Sequence, residues 1–181
     1  MITTDRTTLC SVSEDDALAL RDYYLRNADH LRPWEPRRPD GYHALSEWRV
    51  RALQFAEEAA EGRAYRFVAR LRGESDILAI VNFNNVVRGA FQACHLGYSI
   101  DARHQGQGLM HEMLSAAISH VFLVHRLHRV MANYLPENSR SAQLLERLGF
   151  EIEGRARDYL WINGCWRDHV LTSRINPGME V

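Results

Sequence analysis

A chain of 181 residues with 46% apolar residues is long enough to bury one core and too short to need two, so residues 1–181 are expected to form a single domain. Its 22 basic and 23 acidic residues leave a net charge of −1, which excludes the broad cationic field of a nonspecific nucleic-acid binder. No stretch approaches the roughly 20 apolar residues of a membrane span, and MITTDRTTLC lacks the apolar centre of a signal peptide, so a soluble, cytoplasmic protein is expected.

Ser13 is a candidate N-cap with acidic residues in the next turn, and helical spacing of apolar residues predicts a first helix over about 14–28. LRPWEPRRPDGYH follows; three prolines and a glycine forbid regular helix there, while Trp34 and Tyr42 suit a shaped loop. A second amphipathic helix, roughly 44–61, precedes AYRFVARL, DILAIVNFNNVV and FQACHLGYSI, which read as three successive antiparallel strands. Apolar residues from Leu109 to Phe122 then recur with the period of a one-sided helix. HRVMANYL reads as a strand, and PENSRSAQLLERLGF as a shorter helix from about Asn138 to a C-cap at Gly149. DYLWI and CWRDHVLTSRI flank Asn163 and Gly164, the residue pair of a type I′ hairpin turn.

RHQGQGLM, residues 103–110, places two glycines two apart at the mouth of the longest apolar helix. A turn that points backbone N–H groups outward at the positive end of a helix is an anion site, and glycines let a diphosphate approach the main chain. A nucleotide-triphosphate loop would need Gly-Lys-Ser/Thr, and a dinucleotide fingerprint a third glycine where this chain has His111. Cys10, Cys94 and Cys165 match neither a zinc motif nor a CxxC redox pair, and His120, His125 and His128 lack a completing ligand, so reduced thiols, structural histidines and no metal are expected. Neither Cys94 nor Cys165 has the activating neighbour that a nucleophile needs.

The order of strand HLGYSI, RHQGQGLM, helix, strand HRVMANY and PENSRSAQLLERLGFE resembles the GNAT acetyltransferases. Arg103, Gly106 and Gly108 match that superfamily's pyrophosphate motif, and Asn138 and Ser141 match the segment contacting the pantetheine arm and thioester. HLRPWEP, NFNNVVRGAFQACHLGYSI and YLWINGCWRDHVLTS extend the likeness, from about Thr3 to Asn176, to the ribosomal-protein-alanine N-acetyltransferases of the Rim group. Where such relatives have Arg-Leu-x-Leu-Arg, this chain has RTTLC, with Thr7 and Cys10 in place of an apolar and a basic residue; the departure is expected to touch the first strand and not the acetyl site.

The resemblance implies an α/β (α+β) GNAT fold: a mixed, mostly antiparallel sheet of about seven strands flanked by about four helices. It implies acetyl-CoA as cosubstrate, held by His104, Gln105, Gln107 and Leu109 with the matched arginine and glycines, by the strand edge at Tyr98, Ser99 and Ile100, and by Asn138, Arg140 and Ser141. Trp34, Glu35 and Asn84 are candidate acceptor-binding residues. Transfer from a thioester to an amine needs a neutral amine and a proton for the thiolate, for which Glu35 as base and Ser141 as acid are the candidates. The acceptor implied is the N-terminal alanine of a small-subunit ribosomal protein, with ribosome or pre-ribosome contact. A small amine such as an antibiotic or polyamine, and a ribosome-assembly or regulatory role with non-catalytic acetyl-CoA binding, remain open alternatives.

Overall fold

The computed structural model describes residues 1–179. Eight strands form one sheet: β1 (Ile2–Thr3), β2 (Thr7–Ser11), β3 (Tyr65–Leu71), β4 (Ala79–Val87), β5 (Ala93–Ile100), β6 (Arg129–Met131), β7 (Glu151–Ile162) and β8 (Cys165–Ile175), in spatial order β1-β2-β3-β4-β5-β6-β8-β7. Every pairing is antiparallel except β5–β6, which are parallel and joined by a crossover that contains a 17-residue helix. The helices are α1 (Ala17–Arg26), α2 (Ala28–Leu31), α3 (Leu45–Ala60), α4 (Leu109–His125) and α5 (Ser139–Arg147).

Alternation along the strands divides the core into two layers. Phe67, Ala69, Val81, Phe83 and Leu96 pack with Met113, Leu114, Ile118 and Val121 of α4, while Val68 and Ile80 turn the other way onto Leu20, Tyr23, Trp48 and Ala52 of α1 and α3. Both sheet faces are therefore covered, which is why these strands read as continuous apolar runs.

The mixed, mostly antiparallel α/β sheet is as expected, with eight strands and five α-helices among the described residues against about seven and about four expected. The additional strand, Ile2–Thr3, is a two-residue edge pairing with no periodicity of its own. The helix expected over 14–28 is a 3₁₀ turn at Glu14–Asp16 followed by α1, and it breaks at Asn27, where φ is −105° and ψ 10°, before α2 resumes. HRVMANYL keeps only three strand residues, with Tyr134 forming a lone bridge to Val170. The closing hairpin starts earlier than expected, at Glu151. Its turn has positive φ at both Asn163 and Gly164 (47° and 86°), as type I′ requires.

Candidate active site

Asp101 organises the entrance to the glycine loop. Buried to 1% exposure, its carboxylate accepts from the Arg103 backbone N–H at 3.0 Å, from Arg103 Nε and Nη2 at 3.0 and 2.9 Å, and from Arg26 Nε at 2.6 Å. Burial by itself would raise this carboxyl, but the arginine hydrogen bonds outweigh it and hold it well below the usual carboxylate range. Arg103, expected at a phosphate, thus has its guanidinium engaged by Asp101. Asn27 Oδ1 accepts from the Ala102 N–H at 3.0 Å, so the end of α1 fixes the start of the loop.

Gly106 and Gly108 have φ of 74° and 75°, the left-handed region that glycine enters without strain. A Cβ at Gly106 would meet nothing within 4 Å, and one at Gly108 only Arg6 Nη2 at 3.6 Å, so the main chain here faces open space. The N–H groups from Gln105 to His111 donate to no protein acceptor among the described residues, and Gly108 supplies no side-chain cap to α4. Unpaired amides at the positive end of a 17-residue helix fit a diphosphate. Around them, Gln105 bridges His30, at 3.0 Å, and Arg140, while Gln107 Nε2 donates to the Arg103 carbonyl at 3.4 Å. His104 closes the 3₁₀ turn Ala102–His104, and Leu109 begins α4 as a buried core residue.

The first strands are not remote from this loop. Thr4 Oγ1 and the Arg6 N–H donate to Glu112 Oε1 at 2.6 and 2.9 Å, Arg6 Nε pairs with Glu112 Oε2 at 2.7 Å, and Arg6 Nη1 donates to the Gln107 carbonyl at 3.0 Å. The fully buried Thr7 joins through a 2.7 Å bond with Thr4. Thr7, expected to touch the first strand alone, therefore belongs to a polar network bracing the glycine loop. Arg6 and Glu112 are site residues that sequence reasoning missed, because nothing local marks a contact spanning 106 positions.

Beside the loop the sheet opens. β5 pairs with β4 from Ala93 to Ile100 but with β6 only from Ala93 to His95, so the other edge of β5 is free beyond that point. Along that stretch Ser99 accepts a 2.9 Å bond from the Tyr23 hydroxyl, while Tyr98 and Ile100 turn to the α4 side. Tyr98 Oη lies 2.5 Å from Ser141 Oγ, and Asn138 Oδ1 accepts from the Ser141 N–H at 3.1 Å as the N-cap of α5. Tyr98, Asn138 and Ser141 are thus brought together at the opening.

On the opposite face, Asn84 stands across from His95 at the last residue before the strands part. Asn84 Oδ1 and His95 Nδ1 are buried without protein partners, and burial lowers the His95 pKa, keeping a neutral imidazole there. His95 carried no sequence signal. A separate cleft of about 470 Å³ is lined by Arg32, Glu35, Arg37, Arg38, His43 and Asn163, among others. The Asn163 N–H donates to the Glu35 carbonyl at 3.0 Å, docking the hairpin tip on the proline loop, and Glu35 Oε2 accepts from Arg38 Nη2 at 2.8 Å. Glu35 lines this cleft, whereas Trp34, partly exposed next to it, and Asn84 do not. Cys94 is buried and its thiol is pushed up to about 12, chiefly by burial, which disfavours a thiolate nucleophile. No helix is long and apolar enough to cross a membrane among the described residues.

A sheet that opens beside a loop of unpaired amides, with the Tyr98 and Ser141 hydroxyls at the opening, is an arrangement suited to group transfer from an anionic cosubstrate. The acetyltransferase (GNAT) domain family matches residues 6–151, and the chain belongs to that family. It is 48% identical over 176 residues to the ribosomal protein uS5-alanine N-acetyltransferase of Escherichia coli (strain K12), covering 97% of this chain and 91% of that one. A ribosomal-protein-S5-alanine acetyltransferase from Vibrio fischeri superposes with a TM-score of 0.94 at 38% identity, covering 99% of this chain and 98% of the other. Mycobacterium smegmatis RimJ in complex with CoA-disulfide gives 0.88 at 32% identity, covering 97% and 84%. The protein is an acetyltransferase.

Proposed function

We propose that this enzyme transfers the acetyl group of acetyl-CoA to the N-terminal α-amine of a protein, the acceptor being the alanine-initiated N-terminus of a small-subunit ribosomal protein, met in the cytoplasm free or on a ribosomal particle. The observation that carries the acceptor is the 48% identity with the uS5-alanine enzyme across nearly the whole of both chains. Chemistry supports it: with reference pKa values, an α-amine is about one in seven neutral at pH 7 and a lysine about one in 2,500. An α-amine acceptor needs little help from a strong base.

In this reading the amides of the glycine loop bind the pyrophosphate and the free edge of β5 pairs with the pantetheine arm. Glu35 takes one proton of the acceptor ammonium, directly or through water, leaving the neutral amine that attacks. The amine nitrogen bonds to the thioester carbonyl carbon, the carbon–sulfur bond breaks, Ser141 gives its proton to the departing thiolate, and the surplus proton of the acylated nitrogen restores the serine hydroxyl. The test is intact-mass analysis of an alanine-initiated peptide and of its N-blocked counterpart with one internal lysine, each incubated with acetyl-CoA and enzyme. The free N-terminus should react faster by about 350-fold or more, the ratio of neutral amines. Comparable rates on the blocked lysine peptide would overturn the reading. The enzyme contains no lysine, so it adds no side-chain background to the assay.

A further inference from the structure

The charges lining the 470 Å³ cleft are lopsided: Arg32, Arg37 and Arg38 against the single carboxylate of Glu35. Two of the arginines are already matched. Arg38 pairs with Glu35 at 2.8 Å, and Arg32 pairs with Asp29, a largely exposed carboxylate outside the lining. Arg37 has no carboxylate partner among the described residues.

Its side chain is exposed and makes no hydrogen bond among the described residues. The side chain lies along the hairpin tip, where a Cβ on Gly164 would come within 3.4 Å of Arg37 Nε and 3.5 Å of Cδ, and the tip is itself tied to the loop through Asn163 and Glu35. Gly164, needed for the turn, brings the backbone of the tip beside the arginine stem. Of the other ionisable groups of the wall, Tyr24 has its phenol raised by burial and stays neutral, and His43 has its pKa lowered, by burial first and then by Arg38 and Arg51, so neither adds much charge near neutrality. The cleft thus presents one surplus guanidinium, with donors in a fork geometry that matches a carboxylate.

We propose that this surplus selects the acceptor: the enzyme takes N-termini carrying an Asp or Glu within the first few residues after the reactive α-amine, Arg37 meets that carboxylate, and polycationic amines are turned away. This rests on the α-amine reading above and names the class of peptide it serves. A polyamine brings two or more positive charges toward an already cationic wall, and like charge in a confined cleft is the stronger discriminator.

The experiment uses alanine-initiated peptides of one length that differ only in having Glu, Gln or Lys at the second, third or fourth position, with spermidine as a further acceptor. For wild type, Arg37→Gln and Arg37→Glu, kcat/KM is measured by thiol release at low and high salt, after thermal melting has verified folding. Wild type should prefer Glu over Lys by about tenfold at the best position, one charge-assisted contact's worth, with the preference shrinking at high salt. Arg37→Gln should flatten the order and Arg37→Glu invert it. Equal rates on the three peptides, an order unchanged in Arg37→Glu, or spermidine outpacing every peptide would overturn the proposal. Equal rates leave the α-amine reading standing, whereas no turnover of any alanine-initiated peptide removes that reading and this proposal with it.

Discussion

Tyr98 Oη and Ser141 Oγ lie 2.5 Å apart, joining β5 to α5 across the opening of the sheet. Burial pushes the Tyr98 phenol up to about 12, more than the Ser141 hydrogen bond lowers it, so the phenol keeps its proton, and either hydroxyl can donate in this bond. With the phenol as donor, the serine's own proton is free to aim at a leaving thiolate. Tyr98→Phe should lower kcat about tenfold or more while changing acetyl-CoA affinity little. An acetyl thioester of a more acidic thiol, which needs less protonation, should recover much of that loss in the variant; steady-state kinetics on the two thioesters make the comparison.

Gly106→Ala separates backbone strain from ligand exclusion. At φ 74° an alanine costs about 1–2 kcal/mol, yet its Cβ would touch no protein atom. Thermal melting should report that modest loss, and calorimetry a drop in acetyl-CoA affinity of more than tenfold, because the methyl group projects into the space the diphosphate needs. Unchanged affinity in the folded variant would remove the loop from the cofactor site.

Glu112 links the loop to the N-terminal strands. Burial raises its carboxyl, but bonds from Thr4 and Arg6 win and bring it down to about 2 from an ordinary 4.5. Since the folded value is the lower one, the stabilisation is full above about pH 4.5 and is lost as pH falls toward 2. Glu112→Gln should therefore lower Tm at pH 7 by several degrees, from about 2 kcal/mol of lost charged hydrogen bonds, and the gap to wild type should close on acidification. Melting curves of both proteins from pH 7 to pH 2 are the check.

Glu35 holds an ion pair with Arg38 while its backbone carbonyl anchors the hairpin tip, so its side chain can be altered without undoing the cleft. If the carboxylate removes the amine proton, Glu35→Gln should depress kcat/KM most at acidic pH, where few α-amines are neutral, and recover partly above their pKa near 8. Parallel pH profiles for wild type and variant on one alanine-initiated peptide would take Glu35 out of proton transfer.

Features set by neighbours in the chain were legible from residue order. Helices α3 and α4 follow from apolar periodicity, the two left-handed glycines from their place at a helix mouth, and the closing turn from Asn163 and Gly164. Asn138 was readable as a cap because its partner, the Ser141 N–H, is one helical turn away. The tertiary structure decided the rest. Arg103 looks free beside a phosphate loop, yet Asp101, once buried under Arg26, claims its guanidinium. Tyr98 meets Ser141 across 43 positions, Arg6 meets Glu112 across 106, and Asn163 reaches Glu35 only after the hairpin folds back over the proline loop. Local backbone preferences act between adjacent residues and leave a pattern in the sequence; a hydrogen bond between distant segments depends on which strand edges and helix ends the packed sheet brings within 3 Å, and no spacing along the chain encodes that distance.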